Sequence, residues 1–168
     1  MAVSMHAISV PVFVKTLGNL SAVLDKAAAH TQAKKIEPAV LLTARLFPDM
    51  FALTRQIQLA SDFAKGAVAR LAGQEPPKYE DTETTIADLQ ARIVRTIEFV
   101  QAIAPAQLDG AETREISLKI RDSVQKYAGL FYLMHIALPN FFFHATTAYD
   151  ILRHNGVELG KRDFIGSV

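Results

Sequence analysis

The chain has 168 residues, no cysteine, no tryptophan, and 18 Lys and Arg against 17 Asp and Glu. That length suits one domain, residues 1–168, with a core large enough to stand without disulfides or metal. Zero cysteine excludes a disulfide framework, a thiolate nucleophile and Cys-based zinc or iron–sulfur sites, and a formal charge of +1 leaves no footprint for nucleic acid or an anionic membrane.

Met1 to Val10 show no basic start followed by an apolar run, so no secretory signal is expected. No stretch of about 18 uncharged apolar residues marks a membrane span. The longest apolar run, around Gly129–Phe143, is broken by His135, Pro139 and Asn140. The expected location is the cytoplasm.

The first predicted helix runs from Val10 to Gln32, with Ser9 as its cap and Pro11 in the first turn, where a missing N–H costs nothing. Phe13, Leu17, Leu20, Leu24 and Ala27 recur at spacings of 4, 3, 4 and 3, which is one apolar helix face. The second pattern, from Pro38 to Leu71, places Leu46, Met50, Leu53, Ile57, Ala60, Ala64, Ala67 and Leu71 in the same rhythm on one face. A short turn around Ala39–Leu46 precedes a main helix beginning at Pro48, with Gly73 as its stop and a polar connector over Gln74–Thr82. The third helix is expected from Thr84 or Thr85 to Ile103, striped by Ile86, Leu89, Ile93, Ile97 and Val100, with Asp81 and Glu83 near its positive end.

Between Ala106 and Gly129 the pattern changes. Glu115 to Ile120 alternates polar and apolar, a strand signal, and Val124–Tyr127 is a short candidate partner. The fourth helix is predicted to start at Pro139 and close at Gly156, followed by a tail without helical period in which Phe164 and Ile165 pin the chain end to the bundle. Together these elements describe an all-α fold: an antiparallel four-helix bundle with a small β-hairpin or irregular insert between helices 3 and 4.

Chemistry in a bundle sits on polar residues facing inward. Asn140 and His144 are one turn apart and share a face. Asn is a poor transition-metal ligand, so a capping Asn and a hydrogen-bonded core His are the plain alternative. Asp49 and Gln56 fall on one side of the second helix and offer an acceptor and an amide to a pocket; an interface pair, or an ion pair of Asp49 with Arg45, is the structural alternative. His135 lies just before Pro139, and His154 serves the end of the helix dipole. Phe141, Phe142, Phe143 and Tyr149 put rings on most sides of the fourth helix, more than one inner face needs, so a homodimer is expected. No phosphate-binding glycine loop and no GxSxG turn is present.

LPNFFFHATTAYDILRHNGVELGKRDFIG, RLFPDMFALTRQIQLASDFAKG and the YEDTE connector make the chain resemble the DinB/YfiT superfamily, and within it a bacterial family known only as a domain of unknown function. Many DinB-like proteins hold a divalent metal, such as nickel or zinc, with three histidines. The resemblance places Gln56, Asn140 and His144 at those positions, so two of three ligands are replaced by neutral amides. It implies a degenerate metal site with no cofactor, a polar pocket of Gln56, Asn140, His144, Asp49, Tyr149 and His135 for a small molecule, and a non-enzymatic homodimer. The alternative it implies is a metal-dependent enzyme, a thiol transferase or hydrolase, using His144 with His135, Asp49 or Asp62 as substitute ligands.

Overall fold

The computed structural model describes residues 3–167. Met1, Ala2 and Val168, which belong to the expectations for the two chain ends, lie outside the described residues. The fold is mostly helical with one two-stranded antiparallel sheet. Its long helices are α1 (Val10–Lys34), α3 (Leu53–Leu71), α4 (Ile86–Gln101) and α6 (Leu138–His154). α2 (Pro38–Thr43), α5 (Gly129–Tyr132) and α7 (Lys161–Ile165) are short. α3 packs on α6 and α4, and α1 packs on α4 and α6. Among the described residues no helix is long and apolar enough to cross a membrane.

The periodic residues form the core. Phe13, Leu17, Leu20, Leu24 and Ala27 of α1 are buried, as are Leu89, Ile93 and Val100 of α4. Phe13 meets Phe141 of α6 edge to face, with ring centroids 4.9 Å apart. Pro11 does sit in the first turn of α1. Ser9, however, is no side-chain cap: its hydroxyl donates back to Met5 O at 2.6 Å. The α1 and α3 ends close alike. Ile36 N–H reaches Thr31 O at 2.9 Å over left-handed Lys35, and Gln74 N–H reaches Ala69 O at 2.8 Å over Gly73 at φ 71°.

Four boundaries differ from expectation. The main second helix begins at Leu53, not Pro48, because residues 44–52 fold into a loop closed on itself: Leu53 N–H donates to Ala44 O, and Arg45 donates to the carbonyls of Pro48 and Met50. Arg45 is therefore turned to carbonyls and not to Asp49. Residues Ala39–Thr43, expected as a turn, lie within helix α2. The fourth helix does not start at Pro139. α5 and a π-helical segment, Leu133–Ala137, run into α6 without a break. The tail contains a helix, α7, where no period was visible; Asp163 caps it through Gly160 N–H at 2.8 Å and pairs with Lys26 at 2.7 Å.

The hairpin forms as the alternation predicts. β1 (Glu115–Ile120) pairs with β2 (Ser123–Ala128), Glu115 opposite Ala128 and Ile120 opposite Ser123. Ile116 is buried and Ile120 exposed, so the ribbon is anchored at its base and free at its tip. At that base Gly129 lies against the Ala111 carbonyl, where a Cβ would collide with backbone.

Candidate functional site

The site is built where the start of α3 faces α6. The loop before α3 is held by Leu53 N–H on Ala44 O at 2.9 Å and by Thr54 Oγ1 on Leu42 O at 3.1 Å. This presents the Phe51 carbonyl to the first turn of α3, and Gln56 Nε2 donates to it at 3.1 Å. The amide orientation is thereby set: turned over, Gln56 would press its carbonyl against the Phe51 carbonyl. Gln56 Oε1 then lies 2.7 Å from His144 Nδ1 on α6. Since Oε1 can only accept, His144 carries its proton on Nδ1 and leaves the Nε2 lone pair available; the tautomer is assigned from this network.

Both partners are buried, Gln56 to 1% and His144 to 8% exposure. The His144 ring stacks on Phe63, centroids 5.5 Å apart and planes 18° apart, and meets Phe143 edge-on at 5.3 Å. Burial pushes the imidazole below its ordinary pKa, and the positive charge of Arg55 pushes it the same way. The site thus holds a neutral histidine.

Asn140 is one turn before His144, but its amide serves the backbone. Pro139 has no N–H for the carbonyl one turn back. Ahead of it the helix widens: Leu138 N–H reaches Leu133 O. Asn140 Nδ2 donates to Ile136 O at 2.7 Å within the same disturbed stretch. The other expected pocket residues lie elsewhere. Asp49 is exposed in the loop before α3. Tyr149 packs on Phe164, centroids 5.7 Å apart, and secures the tail. His135 is exposed against Phe131 at 4.6 Å and borders an apolar groove with Leu130 and Met134. Asp62 is engaged by Arg92 and Lys65, each at 2.9 Å.

A three-ligand metal centre does not fit these positions. Gln56 Oε1 is occupied by an N–H, Asn140 points its amide at a carbonyl, and both would be weak neutral donors beside a single imidazole. Among the described residues no group of three or more His, Asp or Glu converges to hold a metal ion.

A second polar cluster escaped the sequence reading. Arg92 of α4 has a side chain only 2% exposed and binds Asp62 at 2.9 Å, Glu83 at 2.9 Å and Asp81 at 3.1 Å. Arg55 pairs with Asp81, and Gln58 donates to Glu83 at 2.8 Å. Tyr79 lies beneath Arg95, Lys65 and Arg92 at 4.0, 4.7 and 5.5 Å from its ring centre. Burial opposes the Arg92 charge, but hydrogen bonding and attraction to Glu83 and Asp62 outweigh it, and its pKa is raised. The cluster straps the connector over residues 79–83 onto α3 and α4. Asp81 and Glu83 therefore answer a guanidinium and not the α4 dipole. The α4 start is capped by a reciprocal pair, Asp88 N–H on Thr85 Oγ1 at 3.0 Å and Thr85 N–H on Asp88 Oδ2 at 2.9 Å. That T-x-x-D spacing was visible in the sequence.

Residues 5–165 match the family described as Domain of unknown function (DUF1993). The chain belongs to this family. A crystal structure of a DinB family member protein from Shewanella denitrificans is 43% identical, with a TM-score of 0.92, covering 98% of this chain and 93% of that one. No match is found among curated proteins.

Two outcomes are expected for this DinB-like protein. Arg92→Met leaves Asp62 and Glu83 without their buried cation and lowers stability by about 3 kcal/mol, whereas Arg95→Met, an exposed cation, costs less than about 1 kcal/mol; urea midpoints measure both. For His144 the folded pKa lies below the unfolded one, so its contribution is complete above pH of about 6.5 and is lost as pH falls through the folded value. The stability gap between the natural protein and His144→Asn, measured by urea unfolding, narrows from pH 7.5 to pH 5. A gap constant with pH would contradict a neutral buried imidazole.

Proposed function

We propose that the chain is a single four-helix-bundle domain, acting in the cytoplasm as a homodimer, in which the metal site implied by the superfamily has become a hydrogen-bonded polar site that binds a small molecule without catalysing a reaction. The observation that carries this reading is the 2.7 Å contact of Gln56 Oε1 with His144 Nδ1. It uses the residue at a ligand position to orient the remaining histidine. Asn140, at the other replaced position, is turned to the Ile136 carbonyl. The aromatic excess on one continuous helical stretch supports the homodimer: Phe131 is 49% exposed and Phe143 57%.

The competing reading is a metal-dependent enzyme built on His144 with other ligands. Elemental analysis of protein purified without chelators, and calorimetric titration with nickel and zinc, decide between them. The proposal expects no stoichiometric metal and no saturable binding. It also expects the double variant Gln56→His, Asn140→His to gain binding near one ion per chain. Stoichiometric metal lost on His144→Ala would overturn it. Sedimentation equilibrium at micromolar concentration is expected to give a dimer mass, and a monomer would remove that part of the reading.

A further inference from the structure

The β1–β2 ribbon ends in apolar side chains that its own chain leaves uncovered. Val124 is 62% exposed and Ile120 43%. Lys119 and Arg121 stand beside them, against a single carboxylate at the turn, Asp122. Lys126 is paired with Glu115 at 2.9 Å, whereas Lys119 and Arg121 have no ion-pair partner among the described residues. The sheet has two strands, so the outer edge of each is unpaired, and a ribbon of that size is marginal without cover.

The other end of the ribbon opens on the complement of this tip. Between the start of α1 and the stretch from α5 into α6 lies an open groove of about 940 Å³, walled by Ile8, Val12, Leu130, Phe131, Met134 and Leu138. Tyr127 of β2 stacks on Phe131 with centroids 5.7 Å apart, which joins the ribbon base and the groove wall into one surface. Glu112 lines this groove and the recess adjoining it, where Asp109 lies beside it, and no lysine or arginine lines either. Both carboxylates are exposed and without an ion-pair partner among the described residues. The tip is thus apolar and basic, and the base is apolar and acidic. One chain cannot bring the two together, because its six-residue strands hold tip and base roughly 20 Å apart.

We infer that two copies of this chain pair with their ribbons antiparallel. The tip of each, Ile120 and Val124 flanked by Lys119 and Arg121, lies in the groove of the other beside Glu112 and Asp109. A two-fold axis across the middle of the ribbons carries each tip onto the other's base, so both contacts form in one closed interface. The pairing covers the apolar tip, fills the groove and sets each pair of free cations against a pair of free carboxylates. This rests on the homodimer reading above and adds the surface through which the copies meet.

The natural absence of cysteine makes the arrangement directly testable. In the double variant Val124→Cys, Leu130→Cys, a short bismaleimide is expected to join two chains into a species of dimer mass. Val124→Cys alone is not joined, because the two tips lie at opposite ends of the paired ribbons. Both side chains are exposed, and circular dichroism checks that the variants keep the native fold. Sedimentation equilibrium gives an independent readout. Lys119→Glu with Arg121→Glu weakens the dimer by about tenfold or more, since like charges then meet at both equivalent contacts. Adding Asp109→Lys and Glu112→Lys to that variant restores the dimer. Joining of Val124→Cys to itself overturns the inference and leaves the homodimer standing. So does a double-cysteine variant that sediments as a dimer but is not joined, or a charge reversal that leaves the dimer affinity unchanged. A natural protein that sediments as a monomer removes the inference and the homodimer reading together.

Discussion

α3 is buried along most of its length, 13 of its 19 residues, yet it carries Gln56, Gln58, Ser61, Asp62 and Lys65. A helix packed between α6 on one side and α4 on another cannot leave such groups to water. All of them but Ser61 are answered by a neighbour, and the answers organise the fold. Gln56 is met by the Phe51 carbonyl and His144, which settles how the loop before α3 and the middle of α6 sit. Gln58 is met by Glu83 and Arg55, and Asp62 by Arg92 and Lys65. The connector before α4 is thus drawn onto the helices by side chains of α3 that have nowhere else to turn. Ser61 Oγ and Arg92 Nε are the buried polar atoms left without a partner among the described residues.

Apolar periodicity was legible because it reports a single local property. The stripe from Phe13 to Ala27 and the stripe on α4 needed only helix geometry, and the strand alternation at Glu115–Ile120 needed only the pleat. Helix ends were legible where the chain itself supplies the closure, as at Gly73. They failed at Pro48 and Pro139, because a proline excludes an N–H without saying whether a helix begins there. At Pro139 the helix passes through the site by widening into a π segment, an outcome that depends on the turns on both sides.

The polar sites were legible only in part, for the same reason. His144 and Asn140 follow from spacing on one helix, and the Gln56 position came with the resemblance. Asp49 was projected along a helix that had not yet begun. Tyr149 shares α6 with His144 but is turned to the tail, and His135 precedes the widened turn, so a regular wheel does not carry its direction forward. The Arg92 cluster joins residues 9 to 30 positions apart in three elements. No local period encodes such pairing, and the surplus of carboxylates before α4 had a sufficient local explanation in the helix dipole.

The two polar assemblies on α3 differ in electrical character, and Arg55 stands between them. Towards the connector it pairs with Asp81 and reaches the Gln58 carbonyl oxygen at 3.1 Å. Towards α6 its field adds to burial in keeping His144 neutral. Asp81 of the strap pairs with Arg55, and burial first, with the Arg55 charge second, lowers the imidazole pKa. A site of neutral hydrogen bonds is thereby maintained beside a cluster of full charges. The charge balance of the whole chain has a local counterpart here, with Arg55, Lys65 and Arg92 set against Asp62, Asp81 and Glu83.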